Sequence, residues 1–388
     1  MMNQILHLRK EFYSGTHRAV PPEETDRRVQ PLMEGIGLES VREITDIDRL
    51  GIPSMAAERA GARDVVMLIH AGQDLLQATV ALKMEAIERY SAEYRREPLL
   101  FGSFEQIGIA RAVDPEELIL PRTVDMCEPL HWSKGWDLIN EEEVVVPSNA
   151  VIHPYDTRGM TTALYPSDPW GLAAGNEPEE AIVEGICEVI ELDALSVAER
   201  TRSMGRRLQV DDDPAAAALL GKFEEAGVAV TLWLLDGRTG VPTVAAAADD
   251  QQTRDPTMLV MGAATHPSPS IAAQHALTEA AQGRAVRLYY RDNEPERDAL
   301  IRRAGYERMK RINHEWFAPA DTVSIADVPD LSTAYFDDDI RALVSAVEGH
   351  ADRICVCDLQ KTDIPVVRVV IPGFEVTHQN PDRVRRSR

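Results

Sequence analysis

Short apolar runs and amphipathic stretches alternate along the chain. Residues 64–70 (DVVMLIH), 142–148 (EEVVVPS), 227–235 (GVAVTLWLL), 241–248 (VPTVAAAA) and 366–372 (VVRVVIP) are apolar runs of strand length. Residues 22–36, 74–97, 177–203, 213–225 and 268–284 instead repeat apolar positions every three to four residues, the period of a helix with one buried face. This alternation predicts an α/β (α+β) protein with a mixed sheet covered by helices. No Gly/Ser tract or low-complexity segment marks a domain boundary. Residues 153–170 (HPYDTRGMTTALYPSDPW) are rich in turn formers and read as a connection or a lid. The closing NPDRVRRSR reads as a basic, frayed tail.

Two of the helical stretches are nearly copies. AGQDLLQATVALKMEAIERY (71–90) and AGNEPEEAIVEGICEVIEL (174–192) both open with Ala-Gly, a polar residue and an acid, 103 residues apart. Thirteen and sixteen residues after the glycine come Glu85 and Glu88 in the first, and Glu188 and Glu191 in the second. Ala78 matches Ala181, Val80 matches Val183 and Ile87 matches Ile190. On the first helix Leu76, Val80, Met84, Ile87 and Tyr94 form an apolar stripe expected to face the core, beside a ridge of Ala78, Ala81, Glu85, Glu88 and Ala92. On the second, Glu180, Glu184, Glu188 and Glu191 share one face, and Asn176 is placed to cap the first turn before Pro178. A third stretch, THPSPSIAAQHALTEAAQGR (265–284), carries Glu279 and Gln282 at the same spacing, as an internal repeat would.

From Gly171 to Glu199 there are eight acids and no lysine or arginine. Stacked like charges cost a helix roughly 0.2 to 0.5 kcal/mol per pair, so the face needs open water or a cation. Two such helices facing each other would bring four carboxylates to one place. That donor set suits hard divalent cations, and magnesium commonly shares its ligands with water and substrate phosphate. A di-iron site calls for Glu-x-x-His on two helices, which these helices do not offer. ATP would need an unfamiliar cradle, because the chain has no Walker A and no Gly-x-Gly-x-x-Gly motif.

Composition narrows the classes. At 388 residues the chain could hold two or three ordinary domains or one large layered one. It is 44% apolar and 27% charged, with no apolar run of membrane-spanning length and none of signal-peptide length near the N-terminus. A cytoplasmic protein with no membrane partner is expected. Cys127, Cys187, Cys355 and Cys357 lie in no disulfide or zinc spacing, and the pair in RICVCDL reads as two small buried residues on one side of a strand. A net charge of −23 speaks against nucleic acid as a partner. Only six of the 41 basic residues are lysines, a composition that suits solvation in concentrated salt.

The segments GTHRAVPPEETDRRV, LGIPSM, MEAIERYSAE, GLAAGNEPEEAIVEGICEVIELDA, ALTEAAQGR and DIPVVRVVIPGFE, in this order and spacing, resemble the YcaO family. These are ATP-dependent peptide-backbone cyclodehydratases and thioamide-forming enzymes, and the likeness is to the stand-alone members of methanogenic archaea. The resemblance runs nearly end to end. It implies a single large domain over residues 67–388, with an N-terminal segment, residues 1–66, that contributes to the nucleotide site. It further implies ATP held without a P-loop, through Mg2+ ions bound by Glu85, Glu88, Glu188 and Glu191. Glu85, Glu188 and Arg284 take the catalytic roles. Arg18, Thr25, Ala81, Asn176, Glu180 and Arg284 fall at nucleotide-contacting positions, with Arg284 meeting phosphate. Three positions depart from the family pattern. Gly72-Gln73-Asp74 replaces a common Gly-Lys-Gly, Ala81 a serine, and Leu192 an arginine after the final glutamate.

The chemistry implied is activation of an amide. A nucleophile adds to the amide carbon, ATP phosphorylates the oxygen, and loss of phosphate completes the exchange. A neighbouring Cys, Ser or Thr would give an azoline, and external sulfide a thioamide. The chain ends in NPDRVRRSR rather than a proline-rich tail, so thioamidation is favoured, with a glycine of methyl-coenzyme M reductase as the expected target. A sulfide donor, a TfuA-like partner and a homodimer are also implied. The reading from a different class is a non-catalytic nucleotide-binding scaffold, motivated by Gln73, Ala81 and Leu192.

Overall fold

The computed structural model describes residues 5–94, 99–108, 110–293 and 295–384. The alternating pattern gives a mixed α/β protein, with the strands divided among three sheets. The first is antiparallel and joins β1 (Leu38–Glu43), β2 (Ser54–Arg59) and β3 (Met67–Ala71) in that order. The second contains β4 (Leu100–Gly102), β5 (Leu130–Asp137), β6 (Glu142–Pro147), β7 (Leu172–Ala174), β13 (Cys355–Asp358) and β14 (Val366–Val370), in the order β4-β5-β13-β14-β7 with β6 paired to β5. The third, in the order β11-β10-β9-β8-β12, is built from β8 (Arg206–Gln209), β9 (Ala229–Leu234), β10 (Thr243–Asp249), β11 (Val260–Thr265) and β12 (Thr322–Ser324). Its β12–β8 pair is parallel. Strands β10 and β14 are buried along their whole length, which is why they read as continuous apolar runs.

The main helices are α1 (Pro22–Val29), α2 (Leu75–Ala92), α4 (Pro178–Thr201), α5 (Pro214–Glu225), α6 (Pro269–Tyr289) and α9 (Phe336–Val347), with shorter α3 (Phe104–Ile107), α7 (Glu296–Ala304) and α8 (Tyr306–Ile312). Helix α1 passes into a 3-10 turn at residues 30–32. Asp74 caps α2 by accepting the Gln77 N–H. Residues 95–97, which the periodicity adds to α2, lie outside the described residues, as do 385–388 of the tail. The core face of α2 is Ala78, Leu82, Ala86, Ile87 and Ala92. Val80, expected in the core, borders a cavity, and Met84 both packs against the core and borders that cavity. Cys355 and Cys357 are buried in one core cluster while Val356 points into another, as two residues of one strand face require.

Strands β2 and β3 pair across residue 66, so the N-terminal segment shares a sheet with the chain beyond it. Residues 153–170 connect β6 to β7, and His153 within them is buried, bonding Asp64 and Ser167. Among the described residues no helix is long and apolar enough to cross a membrane.

Candidate functional site

A strand, a three-residue turn and a long helix occur three times, as β3–α2, β7–α4 and β11–α6. The turns begin at Gly72, Gly175 and His266, and six residues on each helix presents a fully buried alanine: Ala78, Ala181 and Ala272. Turn and helix touch there. A Cβ on Gly72 would stand 2.7 Å from the Ala78 nitrogen, and one on Gly175 2.5 Å from that of Ala181, so glycine is what permits the approach.

Counting from the turns, the thirteenth residues are Glu85, Glu188 and Glu279, and each bonds its own unit's strand segment. Glu85 meets His70 Nε2 at 2.7 Å, Glu188 accepts the Gly171 N–H at 2.8 Å, and Glu279 accepts the Ala263 N–H at 3.2 Å. The sixteenth residues are Glu88, Glu191 and Gln282, and each reaches the next unit in a closed cycle. Glu88 takes the N–H of Ala174, Glu191 that of Thr265 at 3.1 Å, and Gln282 that of Ala71 at 3.4 Å. In all three the donor is the residue just before the turn.

A cavity of about 260 Å³ opens among these helices. Its walls include Val80, Ala81 and Met84 of α2, Glu180 and Glu184 of α4, His275, Thr278, Glu279 and Gln282 of α6, His70 of β3 and Asn176 of the turn after β7. The remaining wall comes from the N-terminal segment, where Phe12 and Arg18 pair as a small hairpin. Gly15 at its tip has φ +72°, and Gln73 fills the space where a Cβ would go. The His275 ring N–H donates to the Gly15 carbonyl at 3.1 Å and ties the tip to α6. Arg18 bonds Glu184 at 2.9 Å and lies 3.8 Å from Glu180. Thr25 donates to Asn176 Oδ1 at 2.9 Å, and the Asn176 amide donates to Glu180.

Burial sets the electrostatics. It raises Glu88 and Glu191 well above the usual carboxylate range, reinforced by Glu188 at the former and Glu279 at the latter. Burial likewise holds Glu188 up to about 8, against the Gly171 N–H and Arg368. Glu279 is exposed on the cavity side, and the protein packed around its carboxyl pushes it to about 7, against the Ala263 N–H. At Glu85 burial acts in the same direction, but His70 and Arg89 outweigh it and bring the carboxyl down to about 2. The acidic stack on α4 is therefore solvated only at Glu184. Arg18 pairs with Glu184 and stands near Glu180, and backbone N–H groups donate to Glu188 and Glu191.

The expected site residues fall in different places. Arg18, Thr25, Ala81, Asn176 and Glu180 all line the cavity. Glu85, Glu88, Glu188 and Glu191 are not among the residues that line the cavity, and Glu85 connects to it through His70. Among the described residues no group of three or more His, Cys, Asp or Glu side chains forms a ready-made metal shell. The reason is that each carboxylate is held by a different strand or side chain. The donors are nonetheless carboxylate oxygens with too few cations among them, which fits a hard ion such as Mg2+ and not a thiolate metal. Asn176 does not cap α4, because Thr25 and Glu180 occupy its side chain. Arg284 is not brought to the cavity. It is fully buried, doubly bonded to Asp48 at 2.7 and 2.9 Å and to Asp250 at 3.2 Å, so its charge is already matched. Leu192 is buried, and Gln73 bonds Gln274.

Sequence reasoning missed His70, Arg89 and His275. Arg89 carried a signal, standing directly after Glu88, where it now bonds Glu85 and Asp64 at 3.2 Å each. His70 and His275 carried none, because their role depends on which strand end faces which helix.

A three-unit α/β frame around a carboxylate-lined cavity thus defines the class of site, and comparison with known proteins identifies the family. Residues 71–375 match the family model of the YcaO cyclodehydratases, described as ATP- and Mg2+-binding. The chain belongs to the YcaO family. It is 43% identical over 378 residues to a protein of Methanothermobacter thermautotrophicus, covering 95% of this chain and 98% of that one. It resembles the structure of YcaO from Methanopyrus kandleri bound with AMPPCP and Mg2+, with a TM-score of 0.82, 29% identity and 97% of each chain covered. A Rhizobium leguminosarum bv. trifolii protein from the tfuA 3′ region is 27% identical over 386 residues, 92% of this chain and 89% of the other.

Proposed function

We propose that the chain uses ATP with Mg2+ in this cavity to activate a peptide-backbone amide, and that sulfide then replaces the amide oxygen to give a thioamide. The observation that carries the reading is the charge of the site. Among the described residues lining the cavity, Arg18 is the one lysine or arginine, and Glu180 and Glu184 already engage it. A triphosphate can enter such an acidic place only together with divalent cations, and the buried glutamates are suited to hold them. The Mg2+-bound nucleotide of the M. kandleri structure supports the same assignment.

In this reading Glu85, Glu88, Glu188 and Glu191 hold magnesium, which offsets the charge that builds on the phosphoryl oxygens. Asn176, fixed by Thr25, orients Glu180. His70 and Arg89 keep Glu85 ionised, and the hairpin of residues 12–18 limits water. Sulfide forms the new C–S bond, the amide oxygen takes the γ-phosphoryl group from ATP, and the C–O bond breaks as phosphate leaves. The substrate in this reading is a glycine of methyl-coenzyme M reductase, as the resemblance to the methanogen members implies. The Rhizobium relative supports a TfuA-like partner. A cytoplasmic homodimer completes the proposal.

ATP hydrolysis tests it, using the chain with Mg2+, a glycine-containing peptide and sulfide, alone and with a TfuA-like protein. The expected result is turnover that needs peptide and sulfide and adds the mass difference of sulfur for oxygen. Turnover without sulfide, with loss of water from a Cys, Ser or Thr peptide, would establish the azoline reaction instead. A chain that binds no nucleotide with Mg2+ would be a scaffold.

A further inference from the structure

An unbroken series of polar contacts runs from the cavity wall to the connection between β6 and β7. His70, on the wall, meets Glu85 Oε2 at 2.7 Å, and the other oxygen of Glu85 accepts from Arg89 at 3.2 Å. Arg89 also donates to Asp64 at 3.2 Å, and the same Asp64 oxygen meets His153 Nε2 at 2.9 Å. Asp64 as a carboxylate can only accept, so His153 Nε2 carries the proton. His153 Nδ1 meets the Ser167 hydroxyl at 3.1 Å, and that hydroxyl accepts the Tyr155 N–H at 2.9 Å. The backbone N–H of His153 donates at 3.0 Å to the carbonyl of Ala92, the last residue of α2, and pins the connection to that helix. His153 is buried, unlike most of the turn-rich residues that follow it.

Arg89 is the pivot of this series. Its charge acts on Glu85, Glu88, Asp64 and Glu188, and three of these are the glutamates read above as magnesium ligands. Its side chain is mostly buried, its Nε has no partner among the described residues, and its two bonds go to Asp64 and Glu85. Asp64 is thus the carboxylate that draws the guanidinium away from Glu88 and Glu188. A cation free to turn onto those two would compete with the divalent ions that a triphosphate brings. Resting on the nucleotide reading above, we propose that Asp64 and His153 are positioning residues for the site: Asp64 holds Arg89 to one side of the glutamates, and His153 holds Asp64. Neither lines the cavity, so both act through Arg89. The connection of residues 153–170 is then tied to the nucleotide site through its first residue, and the β2–β3 loop supplies a carboxylate that no helix repeat contains.

The test reads the Mg2+ requirement of nucleotide binding, independently of turnover. AMPPCP is titrated calorimetrically into the full chain over a series of Mg2+ concentrations, for wild type, Asp64→Asn, His153→Ala and His153→Gln. Asp64→Asn is expected to need about tenfold more Mg2+ for half-maximal binding, and to regain wild-type affinity at saturating Mg2+. His153→Ala is expected to shift the requirement in the same direction although it removes no carboxylate. His153→Gln keeps a donor for Asp64 and is expected to restore the wild-type requirement. A purely structural role would lower the melting temperature of the variants and leave their Mg2+ requirement where it was. An unchanged requirement in Asp64→Asn or in His153→Ala, or a His153→Gln that behaves like His153→Ala, overturns the proposal while leaving the nucleotide reading intact. A wild-type chain that binds no AMPPCP at any Mg2+ concentration, or binds it equally without Mg2+, overturns the nucleotide reading and this inference with it.

Discussion

Glu188 shows how one side chain can report on its site. Its folded-state proton affinity is raised to about 8, so the folded protein keeps a proton that the unfolded chain gives up near the ordinary carboxylate value. This stabilisation is complete below that ordinary value and is lost as pH rises through about 8. The metal-free protein is therefore expected to melt at lower temperature at about pH 8 than at about pH 5, with a shallower fall in Glu188→Gln; thermal melts across pH in EDTA check this. Mg2+ with nucleotide should reverse the trend, because a metal ligand must first lose its proton. Arg284 makes the opposite kind of report. Arg284→Ala strands Asp48 in the interior, leaves Asp250 to Arg49 alone, and is expected to cost about 3–5 kcal/mol, measured as a lower denaturation midpoint. Nucleotide affinity of the folded variant should remain unchanged. The sequence showed Arg284 as a cation on an acidic-helix repeat, but its partners are 236 and 34 residues away, and no local pattern contains them.

Among the elements, the turn-to-helix joints position the site. Gly175→Ala would put a methyl 2.5 Å from the Ala181 nitrogen, and relieving that clash is expected to cost about 1–3 kcal/mol. Because the shift would carry Asn176 with it, nucleotide affinity should fall as well, which calorimetry checks. Gly221 in α5 has open space around it, so Gly221→Ala should instead stabilise by about 0.5–1 kcal/mol in the same denaturation assay. Long, regularly patterned elements were legible from the sequence: α2, α4 and α6 by their period, β10 and β14 by their unbroken apolar runs. Strand β1 (LESVRE) was not, because all but its first residue are exposed, and β7 is only three residues long. The Glu-x-x-Glu spacing exposed the first two units. The third was visible only as Glu279 and Gln282, because its turn begins with His266 where the others have glycine.

For the molecule as a whole, three sheets and three long helices close into a ring whose centre is acidic, and residues 12–18 cover one side of the cavity. The family and the paired glutamates could be read from the sequence, while the cyclic order of bonds from each helix to the next strand needed the chain folded. That order fixes where the negative groups stand, and a polyanion can join them together with divalent cations. Calorimetric titration of AMPPCP into the full chain, with Mg2+ and with EDTA, for wild type and Glu188→Gln, tests this most directly. Wild type is expected to bind with Mg2+, and to bind more than about tenfold more weakly in EDTA or as the variant. Equal affinity with and without Mg2+, or an unchanged affinity in Glu188→Gln, would contradict it.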